Sequence, residues 1–351
     1  MKKEKILIFN ISTDSNNTSL GFAINWLNQL SEYYIEIDVV TLNEGATHLL
    51  NDNINVYSHD SVNTNKITKF IALRKIIKNL LKDNEYRYCL SHMTTSLTLV
   101  SSSIFRFQNL QSILWYTHKG PTTFIKKIVL YLGALFSDSI ITASENSFPL
   151  KFKKVTSIGH AINYEDFYRG RINTGSKDFL ILSRISKSKN IEESIQGFLN
   201  SVYGESQSIT IVGGPLTKQD ADYESYLKNK YSNYPNIRFV GSVPHTELST
   251  YLDKIGFHIN NTPKGFYDKS VLETLSGGII NFYMNSEYDK NIHPEYINIL
   301  KFDGTKDDLT KSINLISKLE KDLLLKIIQF SQEKVKDESL KTLHQRILKV
   351  I

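Results

Sequence analysis

Cysteine is nearly absent. Cys89 stands alone in 351 residues, which excludes an intramolecular disulfide and reads as a buried bystander in a reducing compartment. No run of about 18 uncharged apolar residues occurs, so no segment of transmembrane length is present. The first apolar run, residues 6–9, is too short for the core of a secretory signal. The expected location is therefore cytoplasmic, free or peripheral on the inner face of the cell membrane. There is no large excess of one charge: +6 overall with a pI near 9.0 does not require nucleic acid and leaves anionic substrates and lipid headgroups open. Tandem repeats and low-complexity segments are missing. So is Gly-x-Gly-x-x-Gly directly after a strand, which argues against a dinucleotide-binding dehydrogenase.

What remains is a chain with 40% hydrophobic and 22% charged residues, able to bury real cores and long enough for two α/β domains. Apolar runs of strand length alternate with helical periods, the pattern of parallel sheets covered by helices. In the first half, strands are predicted at 6–9, 35–41, 88–91, 112–116 and 139–142, with helices at 20–30 and 70–81. Residues 164–176 are polar, contain Gly170 and Gly175 and read as a linker. A second series follows: strands at 179–183, 208–212, 237–240 and 257–260, and helices at 191–199, 222–232, 246–254 and from Asp268. The expected domains are 1–165 and 166–330, with 331–351 a helix crossing back to the first. Two doubly wound halves would face each other across a cleft at the carboxyl ends of their strands.

Chemistry concentrates at those strand ends. After the strand at 179–183 come Arg184 and Lys189, a bidentate fork and a movable point charge suited to a diphosphate. A solvated basic turn is the competing reading. The next strand ends in Gly213-Gly214-Pro215, which permits close backbone approach or makes an ordinary turn. Backbone groups around Val243, in Val240-Gly241-Ser242-Val243-Pro244-His245, are placed to meet a nucleobase. A loop from Asn260 feeds a helix with Asp268 and Lys269 in its first turn, where free amides favour anions. Glu273 follows among apolar neighbours, either capped and solvent-facing or an acceptor for two ribose hydroxyls. His118, at a strand end in the first half, reads as a donor to sugar or phosphate or as a core histidine. The loop ending at Gly21 is a contact for acceptor or phosphate, or plain solvent loop. Residues 124–136 have the period of an amphipathic helix with Lys126 and Lys127, suited to an anionic membrane or to a core helix with two exposed lysines.

In this order the segments resemble the retaining family-4 glycosyltransferases of GT-B fold, which build bacterial surface polysaccharides. Ile158-Gly159-His160-Ala161-Ile162-Asn163-Tyr164-Glu165-Asp166-Phe167 resembles that family's entry into the second domain. Arg184 and Lys189 resemble its phosphate-binding pair, Val212-Gly213-Gly214 its glycine turn, and residues 239–244 its base-side strand. The resemblance implies two Rossmann-like domains and a UDP- or GDP-sugar donor. It also implies a glycan or lipid-linked acceptor, transfer with retention, and no metal or other cofactor because cations neutralise the diphosphate. It assigns the donor ribose to Glu273, a sugar hydroxyl to Asp268, the donor sugar to His118, and substrate contacts to Gly21 and His160. One departure is clear: the family's first glutamate of a paired motif would fall at Gly265, where no carboxylate stands. Two other readings are an epimerase of nucleotide sugars with the same architecture and a non-catalytic partner subunit with a decayed site.

Overall fold

The computed structural model describes residues 4–351 apart from 18–19, 60–64, 118–119, 122 and 169–174. It divides into two units, Met1–Ala161 with Leu340–Ile351, and Ile162–Ser339. The first boundary lies four residues before the expected 165, and the second nine residues after the expected 330. Tyr164–Phe167 is a short helix whose Tyr164 and Phe167 are buried, so the segment read as linker begins with core of the second unit. The expected single helix at the C-terminus is two. Lys321–Lys336 belongs to the second unit and Leu340–Leu348 to the first, with the break between them.

The first unit is a seven-stranded sheet: β1 (Lys5–Thr13), β2 (Glu36–Glu44), β3 (Ile54–Tyr57), β4 (Tyr86–His92), β5 (Ser112–Trp115), β6 (Ser139–Thr142) and β7 (Val155–Ser157). Its order is β3-β2-β1-β4-β5-β6-β7, every neighbour parallel. Because side chains alternate along a strand, Ile6 and Ile8 of β1 join a cluster with Trp26, Leu27, Leu343 and Ile347, while Leu7 and Phe9 join another with Leu73, Ile77 and Leu97. Burial on both faces is why β1 reads as an unbroken apolar run. Cys89 is buried and free, as expected.

The second unit has β8 (Phe179–Leu182), β9 (Ile209–Val212), β10 (Ile237–Gly241), β11 (Phe257–Asn260) and β12 (Ile280–Tyr283) in the order β10-β9-β8-β11-β12, again parallel. The order reverses between β8 and β11, and a doubly wound sheet opens its crevice at such a switch point. A buried polar network ties this point together. Leu182 donates its amide to His258 Nε2 at 3.3 Å, and His258 Nδ1 lies 2.5 Å from Asn281 Oδ1, which also accepts from Thr274 Oγ1 at 2.9 Å. Burial holds the His258 imidazole down at about 4, against the hydrogen bond to Asn281 and the nearby carboxylates, so the ring is neutral and joins β8, β11, β12 and the helix Lys269–Ser276.

His258→Leu leaves the Leu182 amide unpartnered and removes one of two hydrogen bonds to Asn281 Oδ1, which keeps Thr274, at a cost of roughly 1 to 3 kcal/mol. The depressed value makes the unfolded chain the stronger proton binder. Wild-type stability is therefore full above the ordinary histidine value and falls with pH from there toward 4. Urea unfolding at pH 7 and pH 5 is expected to show a lower midpoint for the variant at pH 7 and a smaller loss than wild type on acidification.

Candidate functional site

The loops leaving the carboxyl ends of β8, β10 and β11 carry most of the predicted residues. Asn190 adopts a left-handed backbone, with φ at 46°, where the short turn Lys187–Lys189 meets the helix Ile191–Leu199. Lys189 is only 6% exposed. Its ammonium lies 2.8 and 2.6 Å from the two oxygens of Asp268 and 3.5 Å from Thr262 Oγ1, over the Phe266 ring. Asp268 Oδ2 also accepts from Asn260 Nδ2 at 3.1 Å and Thr262 Oγ1 at 3.0 Å. Burial pushes the Asp268 carboxyl up, but the Lys189 charge and these hydrogen bonds outweigh it and hold it below the usual carboxylate value.

Asp268 occupies the position before the helix Lys269–Ser276 without capping it. Its carboxylate is committed to Lys189, and its own amide donates to the Tyr288 hydroxyl at 2.5 Å. The first turn of that helix therefore keeps backbone amides without a side-chain cap. Lys269 opens the helix, and burial lowers its ammonium to about 8 while Glu273, one turn on, opposes the shift.

Glu273 is 4% exposed, and its Oε1 lies 2.9 Å from His245 Nε2. No hydrogen bond engages its Oε2 among the described residues, so half of a nearly buried carboxylate remains available. The His245 side chain is 36% exposed and rests edge-on against Phe167. Burial lowers the imidazole, but hydrogen bonding and attraction to Glu273, with a contribution from Asp166 and opposition from Lys269, raise it above the ordinary histidine value.

Arg184 follows β8 and is exposed. Among the described residues it has no hydrogen-bond or ion-pair partner. The two cations expected to act together are thus in different states, one free and one already neutralised. Gly213, with φ at 135°, would carry a Cβ into the Ser183 carbonyl oxygen, and a Cβ on Gly214 would strike Ser242 Oγ. Contact with the backbone of the neighbouring strand loop is enough to require Gly213, whereas at Gly214 the Ser242 hydroxyl can turn aside. Val243 packs its side chain against the cluster of Leu248 and Leu252, so what it offers a ligand is backbone.

At Gly265 a carboxylate arrives from elsewhere in the chain. The Gly265 amide donates to Glu287 Oε2 at 3.1 Å, and Asn285 Nδ2 donates to the same oxygen at 3.0 Å. His245, Asn260, Thr262 and Glu287 were not singled out from sequence. For His245 the only available signal was its place just past a strand end.

In the first unit, His118 lies outside the described residues. The Gly21 amide donates to the Asn17 carbonyl at 2.8 Å, and a Cβ there would lie 2.6 Å from that oxygen. Its glycine is explained by closure of its own turn. His160 is buried, and its carbonyl accepts from Arg346 at 2.6 Å, tying down the helix Leu340–Leu348. The switch point of this sheet, between β1 and β4, instead presents His92. Its Nδ1 lies 3.1 Å from Asn10 Oδ1, and its ring packs against Trp26 and Trp115.

These two parallel sheets, with their switch points, define the GT-B fold, and comparison with known proteins agrees. Residues 15–144 match the model of a family described as glycosyl transferase 4-like. No curated protein matches the chain by sequence. Among solved structures, Anabaena Alr3699/HepE in complex with UDP and glucose is similar at a TM-score of 0.75 and 12% identity, over 99% of this chain and 98% of that one. A glycosyltransferase from Rickettsia africae is similar at 0.75 and 14% identity, over 100% and 98%. A UDP-GlcNAc 2-epimerase from Methanocaldococcus jannaschii is similar at 0.56 and 11% identity, over 98% and 99%. The family match falls in the first half, whereas the motifs that suggested the same family lie mostly in the second.

Proposed function

We propose that the chain is a glycosyltransferase that takes a UDP-sugar and moves the sugar, with retention, to a hydroxyl of a glycan or lipid-linked acceptor in surface polysaccharide synthesis. The observation that carries this reading is Glu273: a carboxylate 4% exposed, one oxygen held by His245 at 2.9 Å and the other uncommitted, beside the switch point of the second sheet. Such an oxygen accepts a ribose hydroxyl without losing an existing partner. The choice of UDP over GDP rests on the UDP in the similar Anabaena structure.

Arg184 supplies the free positive charge for the diphosphate, and the uncapped first turn of the helix at 269–276 adds its amides. Lys189 serves mainly to hold Asp268. Its third N–H is only loosely engaged by Thr262, at 3.5 Å, and can meet a phosphate oxygen. Asp268 Oδ1 accepts one hydrogen bond and has a lone pair left for a sugar hydroxyl. Cations and amides do the neutralising work here, so the proposal includes no metal and no other cofactor. The departing phosphate takes the acceptor's proton.

Incubation with a panel of UDP-sugars and a mixed glycan and lipid-linked acceptor pool tests the reading. The expected result is UDP release that depends on acceptor, with a glycosylated product. Conversion of the sugar without acceptor would identify an epimerase, and no turnover with any donor would favour a non-catalytic subunit.

A further inference from the structure

The helix Phe124–Phe136 of the first unit turns Leu130, Gly133 and Ala134 inward. Its opposite face is also apolar and is left uncovered. Phe124 is 76% and Ile125 74% exposed, and Ile128, Tyr131, Leu135 and Phe136 continue the stripe at helical spacing. Phe107, at the end of the neighbouring helix Thr95–Phe107, is 89% exposed. Scattered exposed apolar residues need no explanation, but a contiguous stripe this long does.

Between Glu85 and Asp138 the sequence has no Asp or Glu, and Lys126 and Lys127 stand on the helix itself, both exposed. Arg106 lies over the Phe136 ring at 6.0 Å. At the C-terminal end of the stripe Lys154 donates to the Leu135 carbonyl at 2.9 Å and sits over Phe152, which packs on Tyr131. Lys151 and Lys153 flank it, exposed. Asp138, where the acid-free stretch ends, accepts the amide and hydroxyl of Ser112.

We propose that this face docks on an anionic lipid surface, the apolar stripe entering the acyl boundary and the surrounding lysines and Arg106 meeting phosphate headgroups. Charge complementarity selects this occupant. A second copy paired through the same face would set these cations against their own equivalents, with no acid on the stripe to offset them.

Flotation with vesicles of phosphatidylcholine alone, and of phosphatidylcholine with phosphatidylglycerol, tests it on the full chain. Wild type is expected to float with the anionic vesicles only. Phe124→Ser/Ile125→Ser and Lys126→Glu/Lys127→Glu should each bind them about a hundredfold more weakly, with unchanged thermal midpoints because all four side chains are exposed. Phe124→Trp should show a blue-shifted emission on anionic vesicles. Absence of wild-type flotation, flotation equal on both vesicle types, or binding untouched by either double variant overturns the proposal. So does a dimer, detected by light scattering, that Phe124→Ser/Ile125→Ser dissolves.

Discussion

Lys189→Met is expected to reduce sugar transfer by about a hundred- to a thousandfold in kcat and to destabilise the fold at the same time. The stability loss follows from the geometry. Lys189 is the cationic partner of Asp268, at 2.6 Å, and removing it leaves a largely buried carboxylate held only by Asn260 and Thr262. Breaking a fully buried pair costs about 3 to 5 kcal/mol. The Asp268 side chain is 21% exposed, so solvent screening brings the figure to roughly 3 kcal/mol or less. The two effects separate in the double variant Lys189→Met/Asp268→Asn. Removing both charges restores most of the stability, because no unpaired charge remains, while turnover stays low because the proposed function has both groups facing the donor. Urea midpoints and steady-state kinetics on the two variants check this. A double variant that recovers kcat along with stability would reduce the pair to a structural role.

Glu273→Gln is expected to raise the donor's KM by about ten- to a hundredfold with little change in kcat, since the proposed ribose contact would be made equally in ground and transition states. His245 should share in this effect through pH. Its folded value is raised above the ordinary 6.5. The pair's contribution is therefore complete below the unfolded value and is lost as pH rises through the folded one. Donor KM for wild type should climb with pH across that window, and His245→Gln should be weaker at low pH with a flatter profile. Equal pH dependence in both proteins would disconnect His245 from the site.

Much of the fold was legible because it is written in apolar runs. Residues 139–142, 179–182 and 257–260 are strands where the alternation says they should be. The missed strands are β3, β7 and β12; β7 is three residues long, and in the other two the polar interruption is satisfied from a distance. β12 is interrupted by Asn281, paired with His258 and Thr274. β3 is interrupted by Asn55, paired with Asp38 at 3.0 Å. Neither partner is visible along the chain.

The site divides the same way. Lys189, Asp268 and Glu273 stand out as charges next to strand ends or among apolar neighbours. That Lys189 and Asp268 neutralise each other depends on a contact across a sequence separation of 79. The Gly265 position shows the limit most clearly. Read locally it lacks a carboxylate, and only the fold brings Glu287 to its amide at 3.1 Å.

In the proposed function the uncommitted oxygen of Glu273 belongs to a nucleoside diphosphate site. Isothermal titration of the wild-type chain and of Glu273→Ala with UDP tests it without any knowledge of sugar or acceptor. One saturable site is expected in the wild type, and binding at least about tenfold weaker in the variant. Equal affinity in the two proteins, or no UDP binding by the wild type, would contradict it.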